Sequence, residues 1–187
     1  MGYKLIVMDM DGTLTNSKKE ISEETRTALI EAQKLGASIV LASGRPTPGL
    51  YREAKILEMD RFKGYLLSYN GAHVCDYPNQ QVIYNKTIDK KYILPIINNA
   101  KALNLGIMVN KGEYVVVDDS HTYQLEYEAH ATNMKTMVVD DLRTFVDFEP
   151  NKFLISAPPE YLKMQFADFK LPFGDRLSIY TSAPFYI

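Results

Sequence analysis

Tryptophan is absent from the 187 residues, and cysteine occurs once, at Cys75. A lone thiol cannot close an internal disulfide, so nothing calls for an oxidising compartment, and a cytoplasmic location is expected. There is no apolar run near the roughly 18 residues a membrane span needs, and no basic segment leading into an apolar one as in a secretory signal. Neither secretion nor a membrane partner is expected. Basic residues are not in surplus: 21 Lys and Arg against 23 Asp and Glu leave a net charge of -2. Nucleic acid binding would need clustered cations on one face, so it is not expected either, and a small molecule is the expected partner. Repeats and low-complexity linkers are also missing. What remains is a globular composition, 46% hydrophobic and 24% charged, long enough to bury one core or two small ones.

The pattern along the chain predicts a doubly wound start. Residues 4–8 form an apolar, β-branched stretch suited to a parallel strand buried on both faces. Ser22 can cap a helix over 23–35, with Glu23 and Glu24 at its positive end and Gly36 as its stop. The stretch 37–43, "ASIVLAS", is a second buried strand, so strand, helix and strand make a βαβ unit with parallel strands. A Pro- and Gly-broken loop then leads to a helix through about Glu58, and 64–71 give a third strand and a turn. Two short strands around "YPNQ" should form a hairpin. From Thr87 the chain changes to mixed elements: a helix through 103 that Pro95 should kink or shift, strands near 106–110, 113–117, 136–139 and 153–156, and helices near 122–131 and after Pro158. Further strands are expected at 177–181 and 185–187. The fold class is therefore α/β, a partial Rossmann-like sheet over 1–84 followed by an α+β domain over 85–187.

In open parallel sheets, ligands bind beyond the carboxyl ends of the strands. Here those ends carry "DMDGT", "SGR" and "YNG". A strand continuing to Asp11 would direct the carboxylates of Asp9 and Asp11 to the same side. Asp9 suits a nucleophile or metal ligand, and Asp11 can pass a proton to or from a leaving group. Gly12 permits a sharp turn and brings backbone N–H groups toward an anion. Ser43 can donate to a phosphoryl oxygen, Arg45 can pair with a substrate anion, and Asn70 adds an amide beside a permissive glycine. Thr13 and Gly44, in the same loops, complete the phosphate- and substrate-binding candidates. A carboxylate attacking phosphorus meets a strongly anionic centre, so a hard dication is needed, and Mg²⁺ is expected. For Asp11 to act as an acid, a neighbouring carboxylate should raise its pKa. The pairs Asp118-Asp119 and Asp140-Asp141 are expected to be solvated turns, and the three scattered histidines have no metal-ligand spacing.

With these residues in place, "DMDGTL" resembles the first signature of the haloacid dehalogenase superfamily of phosphohydrolases, and "LASGR" its second. "SYNGA" is similar to a segment typical of the Cof-type branch, which carries an inserted α/β cap domain. The resemblance implies that Asp9 forms an aspartyl-phosphate, that Asp11 is acid and then base, and that Ser43 orients the phosphoryl group. It also implies Mg²⁺ held by the Asp9 side chain and the Asp11 carbonyl.

The family's third and fourth signatures, a lysine and an acidic Gly-Asp segment, have no match; Gly174-Asp175, Lys152 and Lys170 fall within the predicted cap. The expectation is thus an N-terminal part of a longer phosphatase, with weak Mg²⁺ binding, impaired turnover and an apolar first-strand edge open to pairing with a second copy. The substrate class implied is small phosphorylated metabolites. A folded but inactive product that binds phosphate or a partner chain is the alternative, and a phosphotransferase sharing the covalent step a third.

Overall fold

The computed structural model describes residues 4–187, which divide after Lys86 into two compact units. In the first, strands β1 (Leu5–Asp9), β2 (Ser38–Ala42), β3 (Gly64–Ser68), β4 (His73–Tyr77) and β5 (Val82–Asn85) form one sheet in that order. The β1–β2 and β2–β3 pairs are parallel, and β3–β4 and β4–β5 antiparallel. Helix α1 (Glu23–Lys34) makes the first crossover. Its cap is the one the sequence announces, with the Ser22 side chain accepting from the Thr25 N–H and Glu23 and Glu24 in the first turn. The second crossover departs from expectation. Pro46 and Pro48 break regular helix, so a 3-10 turn over Thr47–Leu50 precedes α2, which is short (Tyr51–Ile56).

Ile39, Leu41, Leu50, Ala54, Leu57, Met59 and Leu66 are buried in a common core with Met10. Truncating Leu41 or Leu66 to alanine would cost about 2–5 kcal/mol. Strand β1 is not buried on both faces as the sequence suggests. Among the described residues it pairs only with β2, and Leu5 and Val7 are 53% and 56% exposed. Its outer edge is apolar and exposed.

The second unit is a sheet in the order β8-β7-β6-β9, from β6 (Gly106–Lys111), β7 (Tyr114–Val117), β8 (Lys135–Val138) and β9 (Phe153–Ser156). Ile93, Ile96 and Ile97 of α3 (Lys90–Ala102) and Leu162 and Phe169 of α6 (Pro159–Lys170) share one core with Ile107, Val109 and Val116. On the alternate residues, Met108, Val115, Val117 and Leu154 pack with Leu125 of α4 (Leu125–Thr132). Helix α3 starts at Lys90, capped by Asp89, and retains Pro95. Residues 177–181 are not a strand: Leu177 and Ile179 are satisfied by packing on the core and have no ladder partner. At the terminus Ile187 exchanges both backbone hydrogen bonds with Ile155. Asp118 is not a solvated turn residue. Its side chain is only 7% exposed, is ion-paired with Lys101, and accepts the Leu142 N–H at 3.0 Å at the start of α5 (Leu142–Phe145).

Candidate active site

The three loops singled out by sequence follow β1, β2 and β3, at the carboxyl ends of parallel neighbours. Strand β1 ends at Asp9, so Asp11 lies in the turn rather than on the strand. The alternation nevertheless persists: Met10 is fully buried between exposed Asp9 and Asp11. Gly12 adopts φ 87°, a left-handed turn that a side chain would resist. The turn closes through Leu14 N–H to Asp9 O (3.1 Å), Thr15 N–H to Met10 O (2.9 Å) and Gly12 N–H to Thr15 O (3.2 Å). The N–H groups of Asp11 and Thr13 are left without a protein acceptor among the described residues.

After β2, Ser43 is buried, and its hydroxyl oxygen accepts the Arg45 N–H at 3.1 Å. Its own O–H remains available to donate. The loop is locked to the one after β3 by Ser43 N–H to Leu67 O (2.9 Å), Tyr69 N–H to Arg45 O (2.9 Å) and Asn70 N–H to Ser43 O (3.1 Å). Tyr69 and Asn70 are both left-handed, at φ 51° and 57°. Left-handed backbone costs about 1–3 kcal/mol per non-glycine residue, and strain of this kind gathers where a side chain must be held in place. What it holds is the Asn70 amide. A Cβ on Gly44 would meet Asn70 Nδ2 at 3.0 Å and Oδ1 at 3.2 Å. Burial pushes the Tyr69 phenol up to about 12, with the Tyr51 phenol a smaller contributor.

Arg45 is not free for a substrate anion. Only 8% exposed, it places Nη2 2.6 Å from Asp11 Oδ1 and Nε 3.1 Å from Oδ2, and Lys19 Nζ lies 2.7 Å from the same Oδ1. This corrects the expectation for Asp11. Partial burial raises its pKa, but the hydrogen bonds and charges of Arg45 and Lys19 outweigh that, and the carboxyl sits below its ordinary value. A guanidinium that cannot reach water takes the nearest carboxylate as counter-ion, which sequence spacing does not reveal. Glu53 and Arg52, which sequence reasoning did not single out, continue the network beyond Arg45.

A hard cation fits part of this donor set. The Asp9 carboxylate and the Asp11 main-chain carbonyl are oxygen donors with no hydrogen-bond or ion-pair partner among the described residues. No group of three or more His, Cys, Asp or Glu among those residues is placed to hold a metal, so water would have to supply the other positions.

Known proteins share this fold. The family model for haloacid dehalogenase-like hydrolases matches residues 6–187, and the chain belongs to that family. A haloacid dehalogenase-like hydrolase from Bacteroides thetaiotaomicron superposes with a TM-score of 0.94 at 32% identity, over 99% of this chain and 70% of that one. TM0651 from Thermotoga maritima gives 0.83 at 28% identity, over 99% and 68%. Among relatives, the phosphatase YwpJ of Bacillus subtilis is 33% identical over 125 residues, 67% of this chain and 42% of its own length. The 5-amino-6-(5-phospho-D-ribitylamino)uracil phosphatase YcsE of the same organism is 28% identical over 153 residues, 78% and 60%. The chain thus matches less than two thirds of the length of either curated relative. No helix among the described residues is long and apolar enough to cross a membrane.

Proposed function

We propose that the site hydrolyses monoesters of phosphoric acid carried by small metabolites such as sugar phosphates or nucleotides, with Asp9 as nucleophile. The observation that carries this reading is the exposed Asp9 carboxylate, unpaired among the described residues, in a loop whose Asp11 and Thr13 N–H groups have no acceptor among those residues, with the Ser43 hydroxyl and Asn70 amide on the next two strand ends. An Asp9 oxygen attacks phosphorus, the phosphorus–ester oxygen bond breaks, and its electron pair leaves on that oxygen. Water then attacks the aspartyl-phosphate, its proton passes to Asp11, and the phosphorus–Asp9 oxygen bond breaks to give inorganic phosphate. The ion pairs that keep Asp11 ionised support the base step. An alkoxide leaving group takes its proton from Asp11 in its protonated form, which requires Lys19 or Arg45 to loosen first, and the proton given up by the attacking water restores that form. The Asp11, Thr13 and Gly44 N–H groups, the Ser43 O–H and the Asn70 side-chain amide would bind the phosphoryl oxygens, with Gly12 shaping the turn that presents the first two.

Mg²⁺ would be held by the Asp9 carboxylate and the Asp11 carbonyl, and it supplies positive charge that offsets repulsion between carboxylate and phosphoryl oxygens. Because the described residues bring only these two protein oxygens, we infer weak Mg²⁺ binding and slow turnover by these residues alone. The same observation favours a second reading, a phosphate-binding chain without turnover. Hydrolysis of p-nitrophenyl phosphate with Mg²⁺ separates the two: the first reading expects nitrophenolate release that Asp9→Asn abolishes, and no release from either protein would leave the second.

A further inference from the structure

Behind Asp11 stands a closed circuit of charge. Lys19 and Arg45 contact Asp11, Arg45 Nη1 lies 3.7 Å from Glu53 Oε1, and Arg52 donates to that same oxygen from Nη2 at 2.7 Å and Nε at 3.1 Å. Arg52 Nη2 also donates to the Lys19 carbonyl at 3.1 Å, which returns the circuit to the β1–α1 loop. Glu53 is the most enclosed member, its side chain 2% exposed. Its other oxygen, Oε2, is buried with no hydrogen-bond partner among the described residues.

A carboxylate kept inside only for stability would have both oxygens satisfied, since a buried acceptor without a donor is costly and an apolar side chain avoids that cost. What Glu53 supplies is direction. Arg45 offers three nitrogens, and to present the Nε–Nη2 edge to both Asp11 oxygens its Nη1 must be held on the far side. Among the described residues, the holds there are the charge of Glu53 at 3.7 Å and a long 3.4 Å bond to the Gly49 carbonyl. A fork is effective in one orientation only, so the residue that sets the orientation governs the pair.

We propose that Glu53 is a positioning residue for the phosphoryl-transfer site, acting through Arg45 to fix the Asp11 carboxylate, with Arg52 holding Glu53 in turn. This rests on the reading of Asp11 as the proton-handling group. Glu53 touches no substrate, so its loss should lower kcat by about 10- to 100-fold, as removal of a residue that orients a site group typically does, and leave KM nearly unchanged.

The experiment uses two readouts on Glu53→Gln, with Glu53→Asp as the conservative variant should the first fail to fold. One is independent of turnover: the Arg45 Nε–H resonance in a ¹⁵N spectrum, assigned by its disappearance in Arg45→Lys. The expected result is that Glu53→Gln shifts this resonance and speeds its hydrogen exchange, in the direction seen with Asp11→Asn, and that Glu53→Asp does so to a lesser degree. An unchanged resonance overturns the proposal whatever the activity. The other readout is p-nitrophenyl phosphate hydrolysis. A fall in kcat at constant KM, partly restored in Glu53→Asp, supports the proposal, and a rise in KM alone overturns it. Should the native chain hydrolyse nothing while the resonance still shifts, the phosphatase reading fails and the orientation of Arg45 by Glu53 stands.

Discussion

The side-chain amide of Asn70 occupies the space beside Gly44 where any other residue would carry its Cβ, 3.0 Å from Nδ2. The loops after β2 and β3 are therefore fitted to one another at a glycine. Gly44→Ala should displace an exposed side-chain end rather than backbone, so stability should change by no more than about 1 kcal/mol. Activity toward phosphate esters should fall more steeply, because the amide moves. Urea midpoints and steady-state rates measured together check this, and a loss of stability without loss of rate would contradict it.

Removing the Arg45 guanidinium should be expensive. Arg45→Met leaves the buried Glu53 with Arg52 as its only cationic partner among the described residues, and breaking a buried charge pair from one side typically costs about 3–5 kcal/mol. Part of that is relieved because Asp11 is 38% exposed and can be hydrated. Urea unfolding of Arg45→Met against the native chain gives the number, and a change within about 0.5 kcal/mol would show that the network carries no energy.

Much of this site is local, and so was legible. Apolar stretches followed by Asp-x-Asp-Gly, Ser-Gly-Arg and Tyr-Asn-Gly mark strand ends because glycine and asparagine are needed where the backbone turns left-handed, as it does at Gly12, Asn70 and Gly71. Ser22 with Glu23 and Glu24 marked the start of α1 for equally local reasons. The Asp11–Arg45–Glu53 relation was not legible, because it depends on how a Pro-broken 3-10 turn aims α2 back at the β1 loop. Residues 177–181 misled for a complementary reason. Alternation records which side chains meet a core and not whether a neighbouring strand exists, and Leu177 and Ile179 reach the core without one.

Tyr69 should ionise late. Its pKa in the folded state, about 12, lies above the ordinary 10, so the neutral phenol is favoured by folding. Its contribution to stability is complete below pH 10 and declines as pH rises toward 12. A titration at 295 nm, native minus Tyr69→Phe, should isolate a component near 12, and a component near 10 would contradict the burial of this ring.

The outer edge of β1 should be adhesive. Leu5 and Val7 are exposed on a strand paired on one side only among the described residues, the arrangement from which a second copy can add by backbone pairing. Light scattering at rising concentration should show association that Leu5→Lys with Val7→Lys reduces, and a monodisperse native chain at high concentration would contradict it.

The most direct test of the account is to ask where phosphorus goes. The chain is incubated with a ³²P-labelled small phosphate ester and Mg²⁺, quenched in acid, and cleaved to peptides. The account predicts label on the peptide carrying Asp9, stable to acid, released by hydroxylamine, and absent in Asp9→Asn. Phosphate released by the native chain with no label on that peptide, or release that persists in Asp9→Asn, would contradict it.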